Sequence, residues 1–253
     1  MSRMLEGKVA IVTGGSYSLG RAFSNALARE GANIMIADIR DGADAAREIA
    51  EQNNVASHYR HTDVSDEASV KAMVSETMEK FGKIDILLNN AAVFAELERM
   101  AYDEIPVELF DRIMAVNVRG SFLAIKHVVP HMKAQRSGKI INVGSGTAYK
   151  GSMGIGAYVT SKAAILGMTR VFSRELGDYN INVNTIVPGF TESPSVHDNP
   201  HHLKGSERTV NSRAFKRPQQ PQDLVGGVVF LASPLSDFMT GQSLAIDGGA
   251  INL

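Results

Sequence analysis

The 253-residue chain contains no cysteine. Disulfides, thiolate metal ligands and cysteine nucleophiles are therefore excluded, and any acid–base chemistry falls to other side chains. Net charge is almost absent too: 26 Lys and Arg stand against 27 Asp and Glu, a formal balance of −1. With no basic run, a nucleic-acid partner is not expected. No apolar run approaches the roughly 20 residues of a membrane span, so no membrane partner is expected. Met1–Gly7 has no apolar core of a leader and runs straight into a first strand-like segment, so no signal peptide is expected. Internal repeats and low-complexity linkers are missing as well. What is present is ordinary: 44% hydrophobic and 21% charged residues fit a globular chain with one sizeable core. The expectation is a single domain over residues 1–253, soluble and cytoplasmic.

Short apolar runs alternate with amphipathic ones. Strands are predicted at Lys8–Thr13, Asn33–Asp38, Val55–His61, Ile84–Asn89, Lys139–Val143, Ile181–Val187 and Ser243–Ile246. Helical spacing marks Arg21–Glu30, Asp44–Gln52, Glu67–Phe81, Pro106–Met132, Ala157–Leu176 and Pro221–Ala232. The strand segments are apolar at consecutive positions, as suits strands buried on both faces of a parallel sheet. The β-α-β rhythm predicts an α/β fold: a doubly wound parallel sheet of about seven strands with helices on both faces. One stretch breaks the rhythm. Pro188–Pro221 holds five of the eight prolines and three of the seven histidines. An aperiodic segment of that length reads as a substrate lid, within residues 190–220. His197, His201 and His202 fit no common ligand spacing, so no metal site is expected.

Thr13-Gly14-Gly15-Ser16-Tyr17-Ser18-Leu19-Gly20 joins the first strand to the first helix. Glycines there permit a tight turn and let backbone N–H groups approach a pyrophosphate at the helix N-terminus. Asp38 closes the second strand 18 residues after Gly20, where an acid accepts hydrogen bonds from the ribose hydroxyls of an adenine dinucleotide. Its charge would repel a 2′-phosphate, which favours NAD over NADP. Arg40 is the counterweight, because a guanidinium swung inwards would offset that repulsion.

Ser145, Tyr158 and Lys162 form the second constellation. Tyr158 and Lys162 stand four residues apart on a predicted helix and share a face. An ammonium near a phenol is expected to lower its pKa, and a tuned tyrosine is a suitable general acid/base for an alcohol/carbonyl couple. Ser145 ends the fifth strand at the carboxyl edge, where doubly wound sheets place their ligands.

Together with Asn89-Asn90-Ala91-Ala92 at the end of the fourth strand, these motifs resemble the short-chain dehydrogenase/reductase family over Gly7 to Gly249. The resemblance implies an oxidoreductase that moves a hydride between a secondary alcohol, aromatic or cyclic, and NAD. It implies Asn117, Ser145, Tyr158 and Lys162 as catalytic residues. Tyr158 is the general acid/base, Ser145 holds the substrate oxygen, Lys162 holds the nicotinamide ribose, and Asn117 holds a water of a proton relay. Cofactor contacts are implied at Gly14, Ser16, Tyr17, Ser18, Leu19 and Gly20 in the turn. Others are Asp38 and Ile39, Asp63 and Val64, Asn90, Ala91 and Ala92, Tyr158 and Lys162, then Pro188, Gly189 and Thr191. The alternatives are an NADP-linked 3-oxoacyl or ketone reductase of the same family, and a non-catalytic NAD-binding regulatory protein.

Three positions depart from the family pattern. Ser18 stands where the second turn glycine is usual, Ala92 replaces a glycine, and Gly144 precedes Ser145 where a second serine is common. None removes a catalytic group. Substrate contacts are expected from Phe94, Ser145, Thr147, Tyr149, Met153 and Phe190, mostly apolar, which suits an uncharged ring-bearing alcohol or ketone. Ala157–Leu176 is apolar on more than one face, and by resemblance it pairs with its copy and with Pro106–Met132 in a homotetramer, or else a dimer.

Overall fold

The computed structural model of the chain describes residues 3–199 and 206–251. The aliphatic runs become seven strands: β1 (Val9–Thr13), β2 (Asn33–Asp38), β3 (Ser57–His61), β4 (Ile86–Asn89), β5 (Gly138–Val143), β6 (Ile181–Pro188) and β7 (Ser243–Ile246). They form one parallel sheet in the order β3-β2-β1-β4-β5-β6-β7. The chain winds outwards from β1 to one edge, then restarts at β4 on the other side of β1. That reversal opens a crevice at the carboxyl ends of β1 and β4.

Alternate residues of the inner strands feed two separate cores, which is why β1, β2 and β4 are apolar at almost every position. On one face Val12, Ile36, Leu88 and Ile186 pack under α1 (Ser18–Arg29), α2 (Ala43–Asn53) and the helix Gln222–Ala232, through Phe23, Leu27, Ile49 and Val228. On the other, Ile11, Met35, Leu87 and Ile140 meet α3 (Glu67–Phe81), α5 (Ser121–Gln135) and α7 (Gly156–Leu176), through Met73, Val74, Leu123, Val128 and Leu176. Helix α3 is stopped at both ends. The Asp66 carboxylate accepts from Ala68 N and Ser69 N at 3.0 and 3.3 Å, and Gly82 ends it at φ +75°, a conformation that favours glycine.

The predicted helix Pro106–Met132 differs in kind. It is α4 (Val107–Met114) running into α5 through a widened π turn at Ala115–Gly120. Gly120 lets that turn sit on Val64: a Cβ there would lie 2.7 Å from Val64 Cγ2. Within the aperiodic segment the structure shows two short helices, Pro194–His197 and Ser206–Asn211, and a bridge from Thr191 to Gln219. His201 and His202 lie outside the described residues. Among the described residues no helix is long and apolar enough to cross a membrane.

The return from this segment into the sheet is braced by Arg217, whose guanidinium donates to both Asp223 oxygens at 2.6 and 2.7 Å. That ion pair holds the Asp223 carboxyl at a pKa of about 2, below its ordinary range. A depressed carboxylate stabilises the fold above its unfolded pKa, about 4, and the contribution is lost as pH falls towards 2. Arg217→Gln should therefore lower the thermal midpoint at neutral pH and shrink the loss of midpoint on acidification. Parallel acid titrations of the two proteins by circular dichroism check this; identical acid losses would refute it.

Candidate active site

The site grows from the strand ends. At the crevice, Thr13 Oγ1 accepts from Asn90 N at 3.0 Å and Ala91 N at 3.1 Å. Asn90 Nδ2 returns two bonds, to Thr13 O and Gly14 O, both at 3.0 Å. The diverging ends of β1 and β4 are thus joined by side chains where ladder bonds stop. This fixes the glycine turn. A Cβ on Gly20 would lie 1.8 Å from Gly14 O, and one on Gly15 would lie 2.8 Å from Val12 O. The turn delivers the chain into α1, whose N-terminus has no side-chain cap and no acid in its first turn. Unsatisfied N–H groups and a positive dipole end, with no acid beside them, suit a pyrophosphate.

Asp38 is 8% exposed at the end of β2. One of its oxygens accepts from Ser16 N at 3.0 Å and from the Ser16 hydroxyl, and the other accepts from Arg40 N at 3.0 Å. The Arg40 guanidinium does not turn in towards this carboxylate. It lies over the Tyr17 ring, 4.8 Å from its centroid. Ser18 takes the left-handed conformation, φ +52°, at the position where the family pattern has glycine. Its hydroxyl lies 2.7 Å from the Ser195 hydroxyl, while Tyr17 donates to Asp198 at 3.1 Å. The turn is therefore tied directly to the short helix Pro194–His197. Ile39 is exposed, Asp63 caps its own turn through Ser65, and Val64 is buried against Gly120.

Beyond the turn lies a cleft of about 250 Å³ at the ends of β5 and β6. Ser145, Tyr158, Pro188, Gly189 and Thr191 line it, as do Phe94, Thr147 and Phe190. Two of the residues expected at the substrate lie elsewhere. Tyr149 is not on the cleft wall and Met153 is 86% exposed, although Thr147 and Lys150 of the short helix α6 (Thr147–Lys150) and Ser152 after it do line the cleft. Phe94 packs on Tyr158 with ring centroids 4.7 Å apart. Ser145 Oγ accepts from Thr147 Oγ1 at 2.9 Å, which fixes its rotamer.

Electrostatics reverse one expectation. Burial pushes the Tyr158 phenol up to about 12, against a smaller opposing effect of the Ser145 hydroxyl. Burial also pushes the Lys162 ammonium down to about 8. The expected lowering of the Tyr158 pKa by Lys162 is absent because the ammonium donates to Val143 O at 2.7 Å, with Nζ 5.6 Å from the Tyr158 ring centroid. Desolvation outweighs a charge that is itself being destabilised. Asn117 sits in the π turn. Its Oδ1 accepts from Val93 N at 2.8 Å and its Nδ2 donates to Ser161 Oγ at 3.0 Å. Its main-chain carbonyl accepts from Ser121 Oγ at 3.0 Å. The side chain thus joins β4's exit to the residue before Lys162 and does not reach the cleft wall.

A family model described as enoyl-(acyl carrier protein) reductase matches residues 14–250. The 3-oxoacyl-[acyl-carrier-protein] reductase FabG of Thermotoga maritima is 34% identical over 250 residues, covering 98% of this chain and 99% of its relative. The chain belongs to the short-chain dehydrogenase/reductase family. A sorbitol dehydrogenase of Cereibacter sphaeroides is 36% identical over 97% of this chain and 98% of its own length. A crystal structure of an NAD+-bound xylitol dehydrogenase superposes with a TM-score of 0.91 at 31% identity, covering 97% of this chain and 99% of that one. This short-chain dehydrogenase/reductase is accordingly an NAD(P)-dependent oxidoreductase acting on alcohols and ketones. The glycine cradle and the uncapped α1 terminus fit such a nucleotide.

Sequence reasoning missed the Thr13–Asn90 clamp, the ties of Ser18 and Tyr17 to the lid, and Arg213. That arginine is 2% exposed on the cleft wall, donating to Phe190 O and to Arg217 O. Polar lid residues carry no periodic signal that separates a buried arginine from a solvated one.

Proposed function

We propose that this enzyme interconverts a secondary alcohol, cyclic or aromatic, and its ketone with NAD. The reading rests on two hydroxyls, those of Ser145 and Tyr158, lining one cleft with Phe94, Ile155 and Phe190 at the carboxyl edge of the sheet. A bound nicotinamide supplies the hydride acceptor or donor. Tyr158 exchanges the proton with the substrate oxygen, and Ser145 donates to that oxygen as charge develops on it. In reduction the phenol is already protonated. In oxidation its pKa must come down from about 12, and Lys162, once its ammonium leaves Val143 O, is the charge in position to lower it. Asn117 acts through Ser161 and is a positioning residue for Lys162. Asp38 receives the adenosine ribose and opposes a 2′-phosphate, with Ser16 and Arg40 N holding it in place.

A second reading, an NADP-linked 3-oxoacyl reductase, is favoured by the resemblance to the Thermotoga maritima reductase. Arg40 would then leave Tyr17 for the extra phosphate. Asp38→Ala separates the two readings. If the acid selects NAD, the variant binds NAD more weakly and its NAD/NADP preference in kcat/KM falls by about tenfold or more, as the removal of one charged hydrogen-bond acceptor requires. A wild type that already prefers NADP overturns the NAD assignment.

Tyr158→Phe deletes only the proton donor. Turnover should fall by about a hundredfold or more, with NADH affinity, read by fluorescence, within about twofold. Turnover within tenfold of wild type defeats the assignment.

We also infer a homotetramer. Val171 is 52% and Phe122 42% exposed on the α5–α7 face, near Gly167, where a Cβ would meet nothing. A mid-helix glycine costs about 1 kcal/mol relative to alanine, which fits a close approach of a second copy. Sedimentation equilibrium at micromolar concentration should give four chains; a stable monomer would refute it.

A further inference from the structure

The charges around the cleft do not match the uncharged substrate that its apolar walls imply. Three cations line it: Arg99, Lys150 and Arg213. Asp247 is the one carboxylate among the described lining residues, and it is engaged within the chain. Its two oxygens accept from Gly249 N, Ala250 N and Ile251 N at 3.0, 3.1 and 2.8 Å. None of the three cations lies within ion-pair distance of a carboxylate among the described residues. Elsewhere cations such as Arg21, Arg60, Lys126 and Arg217 do have such partners.

The two exposed cations are differently held. The Arg99 stem packs on Gly154, where a Cβ would lie 3.1 Å from Arg99 Cβ. Its Nη1 donates to Met153 O at 2.7 Å, which orients the guanidinium while leaving its other donors open. Lys150 closes the single turn Thr147–Lys150 that follows Ser145, lines the cleft and is exposed, and its ammonium has no hydrogen-bond partner among the described residues. Arg213 lies inside the wall with its Nε buried without a partner, and the nearby Asp247 and Glu192 carboxylates offset part of its charge. Of the glycine turn, only Leu19 and not Gly14–Ser18 reaches this cleft. The cations thus belong to the substrate side and not to the pyrophosphate cradle.

We infer that the substrate of this cleft is a hydroxy or oxo acid, whose carboxylate is held by Lys150 and Arg99 at the mouth while its carbinol or carbonyl faces Ser145 and Tyr158. This rests on the proposed alcohol/ketone chemistry for the orientation, but the anion preference itself is a binding property. Exposed charges are screened, so each cation is worth a factor of about two to five in affinity, and the pair about tenfold. The preference shrinks as salt rises.

The test uses cyclohexanecarboxylate and its neutral isostere cyclohexanecarboxamide, bound to the enzyme–NADH complex and measured by calorimetry. The acid should bind about tenfold more tightly than the amide at low salt. Lys150→Gln should cut that ratio by a factor of about two to five without weakening the amide, and Lys150→Glu should reverse the preference. Equal affinity for acid and amide in the wild type overturns the inference, as does an equal loss for both ligands in Lys150→Gln. The same measurement on Tyr158→Phe keeps the two readings apart. An acid preference together with full turnover in that variant upholds the anion site and removes the proposed chemistry. Lost turnover with no acid preference does the opposite.

Discussion

The Thr13–Asn90 clamp is the interaction on which the functional end of the molecule depends. A parallel sheet that reverses its winding must let neighbouring strands diverge, and the diverging ends lose their ladder bonds. Here one threonine hydroxyl and one carboxamide replace those bonds with four. Buried polar groups without partners cost about 1–3 kcal/mol each, so the exchange is what makes the crevice tolerable. It also sets the height of the glycine turn, because Gly14 and Gly20 are packed backbone against backbone beneath it. The cradle at α1 follows from that packing.

From the clamp outwards, each element of the site is held by a neighbour and not by solvent. Asp38 is fixed by Ser16 and the Arg40 backbone. Arg40's side chain is fixed by Tyr17, and Tyr17 in turn reaches Asp198. On the far side Asn117 holds Ser161, and Val143 O holds Lys162. The departure at Ser18 acquires a physical meaning in this arrangement. A glycine there would have no hydroxyl to meet Ser195, so the substitution exchanges some backbone ease at φ +52° for a tie to the lid.

Much of this was legible in the sequence. Consecutive aliphatic residues announced the inner strands covered on both faces, and all seven strands lie within a residue or two of the predicted segments. The spacing of Ser145, Tyr158 and Lys162 brought Ser145 and Tyr158 to one cleft. The unreadable features have specific causes. A π turn adds one residue to a helical turn without a Gly-Pro break or a polar run to mark it, so Ala115–Gly120 read as plain helix. Lys162's partner is a main-chain carbonyl, which no side-chain motif reveals. The sign of the Tyr158 shift depends on how deeply the phenol is enclosed, a property of the packed chain and not of the four-residue spacing. Tyr149 and Met153 read as wall residues, but which side chains of a single helical turn face the cleft is set by its packing, and there Thr147 and Lys150 face it instead.

The enclosure of Tyr158 and Lys162 fixes the proton inventory of the resting protein. With burial pushing the phenol up to about 12 and the ammonium down to about 8, both groups hold their protons at neutral pH. At the cleft wall Tyr158 therefore stands as a proton donor, with Lys162 behind it on Val143 O. For the proposed oxidation of an alcohol, the Tyr158 phenol has to give up its own proton before it can take one from the carbinol.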